Sequence, residues 1–101
     1  MKAIVEITIV PIGVGVSLSK YVAVCQRVLA ETGLDFQLHA NGTNVEGEWD
    51  TVFAAVKRCH EEIHRMGAPR VYTNIKVGTR TDRDQKMEDK IVSVQSKCDD
   101  L

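Results

Sequence analysis

Apolar and polar residues alternate at the start of the chain: Val5, Ile7 and Ile9 are separated by Glu6 and Thr8, the period-two pattern of a strand over 2–10. Pro11, Gly13 and Gly15 are expected to end it. The period then lengthens. Leu18, Tyr21, Val22, Cys25, Val28 and Leu29 recur at three-and-four spacing, which predicts a one-faced helix capped by Ser17 or Ser19 and closed at Thr32-Gly33. Two short alternating runs, 35–40 and 43–48, flank Asn41-Gly42, a pair suited to the positive φ angles of a type I′ hairpin turn. Asp50 is expected to cap a second helix, with Val52, Phe53, Val56, Cys59, Ile63 and Met66 on its apolar side and Gly67 and Pro69 as its stop. Residues 70–77 form a fourth strand, and Met87, Ile91 and Val94 place a short third helix between 85 and 97.

The order βαββαβ plus a terminal helix predicts an α+β, ferredoxin-like sandwich: a four-stranded antiparallel sheet with two helices on one face and a short C-terminal helix, one domain over 1–101. Alternation sends Val5, Ile7, Ile9, Phe36, Leu38, Val45, Val71, Ile75 and Val77 toward the helices. The other face carries Ile4, Glu6, Thr8, Val10, Gln37, His39, Asn44, Glu46, Glu48, Tyr72, Asn74 and Lys76. Carboxylates, amides and an aromatic ring mixed with aliphatic side chains suit a face covered by another subunit or a ligand better than one left in water.

Composition narrows the function classes. With 101 residues a large enclosed active site would consume most of the core. A net charge of −1, from 13 basic and 14 acidic residues, lacks the basic excess of a nucleic-acid binder. That near-neutral total is expected to hide a local cluster of acids on the open face. No apolar run approaches the length of a membrane span and no cleavable leader is evident, so a cytoplasmic protein is expected. Cys25, Cys59 and Cys98 form no Cys-x-x-Cys pair; the first two fall on helical apolar stripes and are expected to be buried thiols, and Cys98 to be exposed.

The segment His60-Glu61-Glu62-Ile63-His64 matches the zinc-hydrolase pattern, but Arg70 stands where an extended motif needs a third histidine. Gly13-Val14-Gly15 lacks the third glycine of a dinucleotide loop, where Leu18 stands. No arrangement orders a nucleophile, a base and an orienting group, so no catalytic residue, metal or cofactor is assigned and binding is favoured over turnover. In the predicted sheet the first and third strands lie side by side, which brings Glu6, Thr8, Asn44 and Glu46 together on the open face, with Lys76 as a nearby counter-charge.

Three stretches resemble the thiamine-binding, YkoF-like family of small ferredoxin-fold proteins: Gly42-Thr43-Asn44-Val45-Glu46-Gly47-Glu48-Trp49-Asp50, Arg70 through Lys76, and Arg80-Thr81-Asp82, together with Val10-Pro11-Ile12-Gly13. The chain is particularly similar to single-domain eukaryotic members. The resemblance implies a homo-oligomer, commonly a tetramer built as a dimer of dimers, that binds thiamine or its hydroxymethylpyrimidine moiety without catalysis. It connects Thr43 and Glu46 with the ligand and lets Asn44 alter ligand choice. Gly47 is expected to end the strand, Trp49 to anchor the second helix, and Arg80 and Asp82 to form an ion pair or subunit contact. The open face is compatible with thiamine: a thiazolium cation suits Glu46 or Glu6, and an aminopyrimidine suits Thr8, Asn44 or Asn74. The expected ligand-binding residues are therefore Glu6, Thr8, Thr43, Asn44, Glu46 and Asn74, at a subunit interface. The competing readings are a scaffold protein whose open face only builds the oligomer, and a zinc-dependent hydrolase using His60 and His64.

Overall fold

In the computed structural model, which describes residues 1–100, the chain runs β1 (Lys2–Ile12), α1 (Ser19–Thr32), β2 (Asp35–His39), β3 (Gly42–Glu48), α2 (Trp49–Arg65), β4 (Arg70–Thr79) and α3 (Met87–Cys98). The strands form one antiparallel sheet in the order β2-β3-β1-β4, as the ferredoxin-like reading requires. Cross-strand register explains the face that is buried. Val5 lies between Val45 and Val77, and Ile7 between Thr43 and Ile75, so one side of the sheet presents a continuous apolar row to the helices.

Two clusters share that side. Ala3, Val5, Ile7 and Val45 pack with Leu29, Val52, Ala55 and Val56; beside them Tyr21, Cys25 and Val28 of α1 meet Cys59 and Ile63 of α2 and Ala68. Each fully buried Val, Leu or Ile side chain here stabilises the fold by about 1.5–3 kcal/mol relative to exposure. Ile75 and Val77 face the helices yet stay 36% and 39% exposed, because β4 is the outermost strand.

Tertiary pairing overrides several local signals. Pro11 does not end β1; it sits opposite Val71, and pairing continues to Ile12 and Arg70. Beyond Ile7 the ladder to β3 stops, so this part of β1 has one neighbour and tolerates a residue without an N–H. The hairpin forms, but its loop is Ala40-Asn41, closed by the His39–Gly42 pair. Among the described residues no non-glycine residue has positive φ, and Gly42 does not either, so the turn is not type I′. Gly42 is needed for space: a Cβ there would lie 2.8 Å from the Ile7 carbonyl oxygen. β3 also runs through Gly47 to Glu48, with Leu34 occupying the room a side chain at 47 would need.

Neither expected serine cap is used: Leu18 is the N-cap of α1, with no side-chain hydrogen bond. Nor does Asp50 cap α2: Glu48 is the N-cap, and Asp50 lies inside the first turn, where its charge complements the helix dipole. Gly33 closes α1 in the left-handed conformation at φ 74°, as expected. α3 buries no residue, and Ile91, Val92 and Val94 remain exposed. Among the described residues no helix is long and apolar enough to cross a membrane.

Candidate functional site

The helix side of the sheet is not fully closed. Where β1 outruns β3 and α1 begins, a cleft of about 760 Å³ opens between α1, the end of β1 and the β2–β3 hairpin. Ile7, Ile9, Val22, Leu29 and Leu38 supply apolar walls, and Cys25 lies on the α1 side. Thr8, Ser19, Gln26, His39 and Asn41 add polar groups, and Thr43 is the buried one among them. It is 5% exposed, and its hydroxyl accepts a hydrogen bond of 2.9 Å from the Gln26 amide nitrogen. That leaves the Thr43 proton free to donate and the Gln26 carbonyl oxygen free to accept, a donor and acceptor side by side in an apolar recess.

Thr43 thus stands on the opposite side of the sheet from the other expected ligand residues. Its register partners are Ile7 and Leu38, both directed to the helices. On the open face, Glu6 pairs with Asn44 and Lys76, and Thr8 pairs with Asn74, so these expected neighbours do come together. Their polar groups already have local partners. The Thr8 hydroxyl donates to the Asn41 carbonyl at 2.9 Å, and the Glu6 carboxylate lies 3.5 Å from Nε2 of His39. His39 accepts the Asn41 N–H at Nδ1, which places the neutral ring's proton on Nε2, facing Glu6.

Glu46 is two residues along β3 from Asn44. Its carboxylate accepts the Met87 N–H at 2.8 Å, so it holds the first turn of α3 against the sheet. Glu48 accepts from the terminal ammonium at 2.9 Å, and that contact keeps its carboxyl below the usual range. The expected cluster of acids on the open face is therefore dispersed among separate partners. A second concavity, of about 480 Å³, lies where Ile4 and Glu46 meet the 79–86 loop and the start of α3. Tyr72 remains 53% exposed on this face, with the Arg70 guanidinium 5.1 Å above its ring.

The two imidazoles of the His-Glu-Glu-Ile-His segment are engaged separately. His60 Nε2 contacts the Thr73 hydroxyl, and His64 Nδ1 contacts the Ala68 carbonyl at 2.8 Å. Their ring centroids are 6.4 Å apart. Burial, and then the neighbouring His64, lowers the His60 pKa from its ordinary value. Among the described residues no group of three or more His, Cys, Asp or Glu is placed to hold a metal ion. Arg80 forks onto Asp82 at 2.5 and 2.8 Å and holds that carboxyl down to about 2, the ion pair expected from the sequence. Trp49 packs against the core and stacks on Phe53 with ring centroids 4.7 Å apart, which is an anchoring role.

Sequence reasoning missed Gln26. The signal was present: Gln26 falls between Val22 and Leu29 on the inward stripe of α1, where a polar residue needs a buried partner.

Comparison with known proteins agrees with this architecture. A family model described as thiamine-binding protein matches residues 5–95. The chain is 57% identical over 96 residues to a UPF0045 protein of Synechocystis sp., covering 95% of this chain and 79% of that one. It is 36% identical to the UPF0045 protein ECM15 of Eremothecium gossypii, covering 99% and 96%. Among solved structures, the hypothetical protein MJ1052 of Methanocaldococcus jannaschii superposes with a TM-score of 0.87 at 31% identity, covering 93% of this chain and 96% of that one. A candidate thiamine biosynthesis/salvage protein of Thermotoga maritima shares the fold, with a TM-score of 0.79 at 19% identity and coverage of 93% and 99%. With the family model spanning nearly the whole βαββαβ unit, the chain belongs to the thiamine-binding protein family.

Proposed function

We propose that this protein binds thiamine, or its hydroxymethylpyrimidine moiety, without catalysis, in the cleft between α1 and the sheet. The observation that carries the reading is the hydrogen bond between buried Thr43 and half-buried Gln26, set among apolar walls in a recess of about 760 Å³. An aminopyrimidine presents an exocyclic amino donor beside a ring-nitrogen acceptor. The free Gln26 carbonyl and Thr43 hydroxyl supply the matching acceptor and donor, and the walls bury the ring faces. Among the described residues no carboxylate lines the cleft, so the thiazolium cation gains little there. The pyrimidine then dominates affinity. Isothermal titration should show hydroxymethylpyrimidine binding within a few fold of thiamine; absence of heat with either at millimolar concentration would overturn the assignment.

The open face supports a second role, a contact between copies in a homo-oligomer that the family resemblance puts at a tetramer. Exposed Ile91, Val92 and Val94 on α3, and Tyr72 on β4, favour it. In this reading Glu6, Thr8, Asn44 and Asn74 belong to the contact or to a ligand at its seam, and Glu46 serves it by holding α3. A scaffold without a small-molecule ligand would form the oligomer and give no heat. The protein is proposed to act in the cytoplasm.

A further inference from the structure

Cys25 on α1 and Cys59 on α2 are 34 positions apart in sequence and lie in one buried cluster, close enough for their thiols to interact. The Cys59 thiol points at the Cys25 carbonyl oxygen across 4.0 Å, and both sulfurs are free. Their surroundings differ in one respect. Cys59 is fully enclosed, whereas Cys25 also lines the cleft, which gives a small reagent a route to the pair.

We propose that Cys25 and Cys59 are an oxidation site that closes to an internal disulfide with a small peroxide, tying α1 to α2 directly behind the cleft wall. The chemistry balances with hydrogen peroxide as the two-electron oxidant. One sulfur attacks the peroxide O–O bond, becoming a sulfenic acid as hydroxide leaves and takes up the thiol proton to form water. The second sulfur displaces the sulfenic oxygen, the S–S bond forms, and the departing hydroxide with the second thiol proton makes another water. Contact with Cys59, and then burial, pushes the Cys25 thiol up, and the same contact pulls the Cys59 thiol down, so Cys59 is the better nucleophile of the two. Closure would draw Cys25 toward α2 and change the wall seen by anything in the cleft. The link does not depend on what the cleft binds.

The test uses a Cys98→Ser protein, which removes the exposed thiol at the end of α3 and with it any link between chains. The folded protein is treated with hydrogen peroxide, excess thiols are alkylated, and the intact mass and peptide map are read without reduction. The expected result is a monomeric chain lighter by two hydrogen atoms, carrying no alkyl group, with residues 25 and 59 in one linked peptide pair that dithiothreitol separates. Adding Cys59→Ser should abolish the link and leave residue 25 alkylatable or as a sulfenic acid. If that variant does not fold, the peptide map of the Cys98→Ser protein decides alone. Two alkylated thiols after prolonged treatment, oxidation only to sulfinic or sulfonic acid, or a link that forms only in urea would each overturn the proposal.

Discussion

At the scale of single residues, the pair that matters most is Thr43 with Gln26. Replacing Thr43 with Val keeps the shape but removes the hydroxyl and leaves the Gln26 amide without its buried acceptor. The expected cost in stability is about 1–3 kcal/mol, read from urea denaturation. Thiamine and hydroxymethylpyrimidine affinity should fall together, by about tenfold or more, in calorimetry. An unchanged affinity would move the ligand out of the cleft. His60 gives a pH prediction with a definite sign. Its folded pKa lies below the ordinary value of 6.5, so the fold favours the neutral ring. That contribution is complete above the unfolded value and is lost as pH falls below it. Urea midpoints taken from about pH 7.5 to about pH 5 should decline, and less steeply in His60→Gln; equal slopes would remove His60 as a cause. Sequence alone could place Thr43 in a motif and Gln26 on a helical stripe, but their meeting depends on how α1 crosses the sheet, which no local pattern encodes.

At the scale of elements, periodicity located every strand and helix; in β1, β3, α1 and α2 the period follows from burying one face. Their ends were less legible. Pro11 and Gly47 look like terminators locally, yet the ladders to β4 and β1 carry the chain past them. Ser17 and Ser19 look like caps, yet Leu18 between them takes the N-cap position, at the edge of the cleft that it helps to line. α3 poses the opposite case, a clear helix with nothing to bury it in one chain. Ending the chain at Lys86 leaves both core clusters untouched. The shortened protein is therefore expected to keep its native near-ultraviolet circular dichroism while sedimenting as a smaller assembly than the full chain. Loss of the fold would show that α3 supports the core, and unchanged sedimentation would remove α3 from the subunit contact.

For the whole molecule, a radius of gyration of 15.2 Å exceeds the about 13 Å of a compact domain of this size, the dimensions are 49 × 31 × 20 Å, and α3, tied to the sheet at its first turn, buries no residue of its own. The fold class and the open face were legible in sequence, because two helices cannot cover both sides of a sheet. Alternation turns the adjacent Thr43 and Asn44 to opposite faces, but the cleft that receives Thr43 was not legible, since it depends on where α1 and Gln26 lie over the sheet. The sheet order also governs assembly in time. The longest ladder joins the first strand to the fourth, from Ala3 opposite Thr79 to Ile12 opposite Arg70. During synthesis β1 must wait through α1, the hairpin and α2 before its outer partner is made. Its Ile and Val residues form an unpaired edge throughout that interval, so the chain is expected to fold more slowly than a helical bundle of equal length and to depend on β3 to shield β1 until β4 arrives.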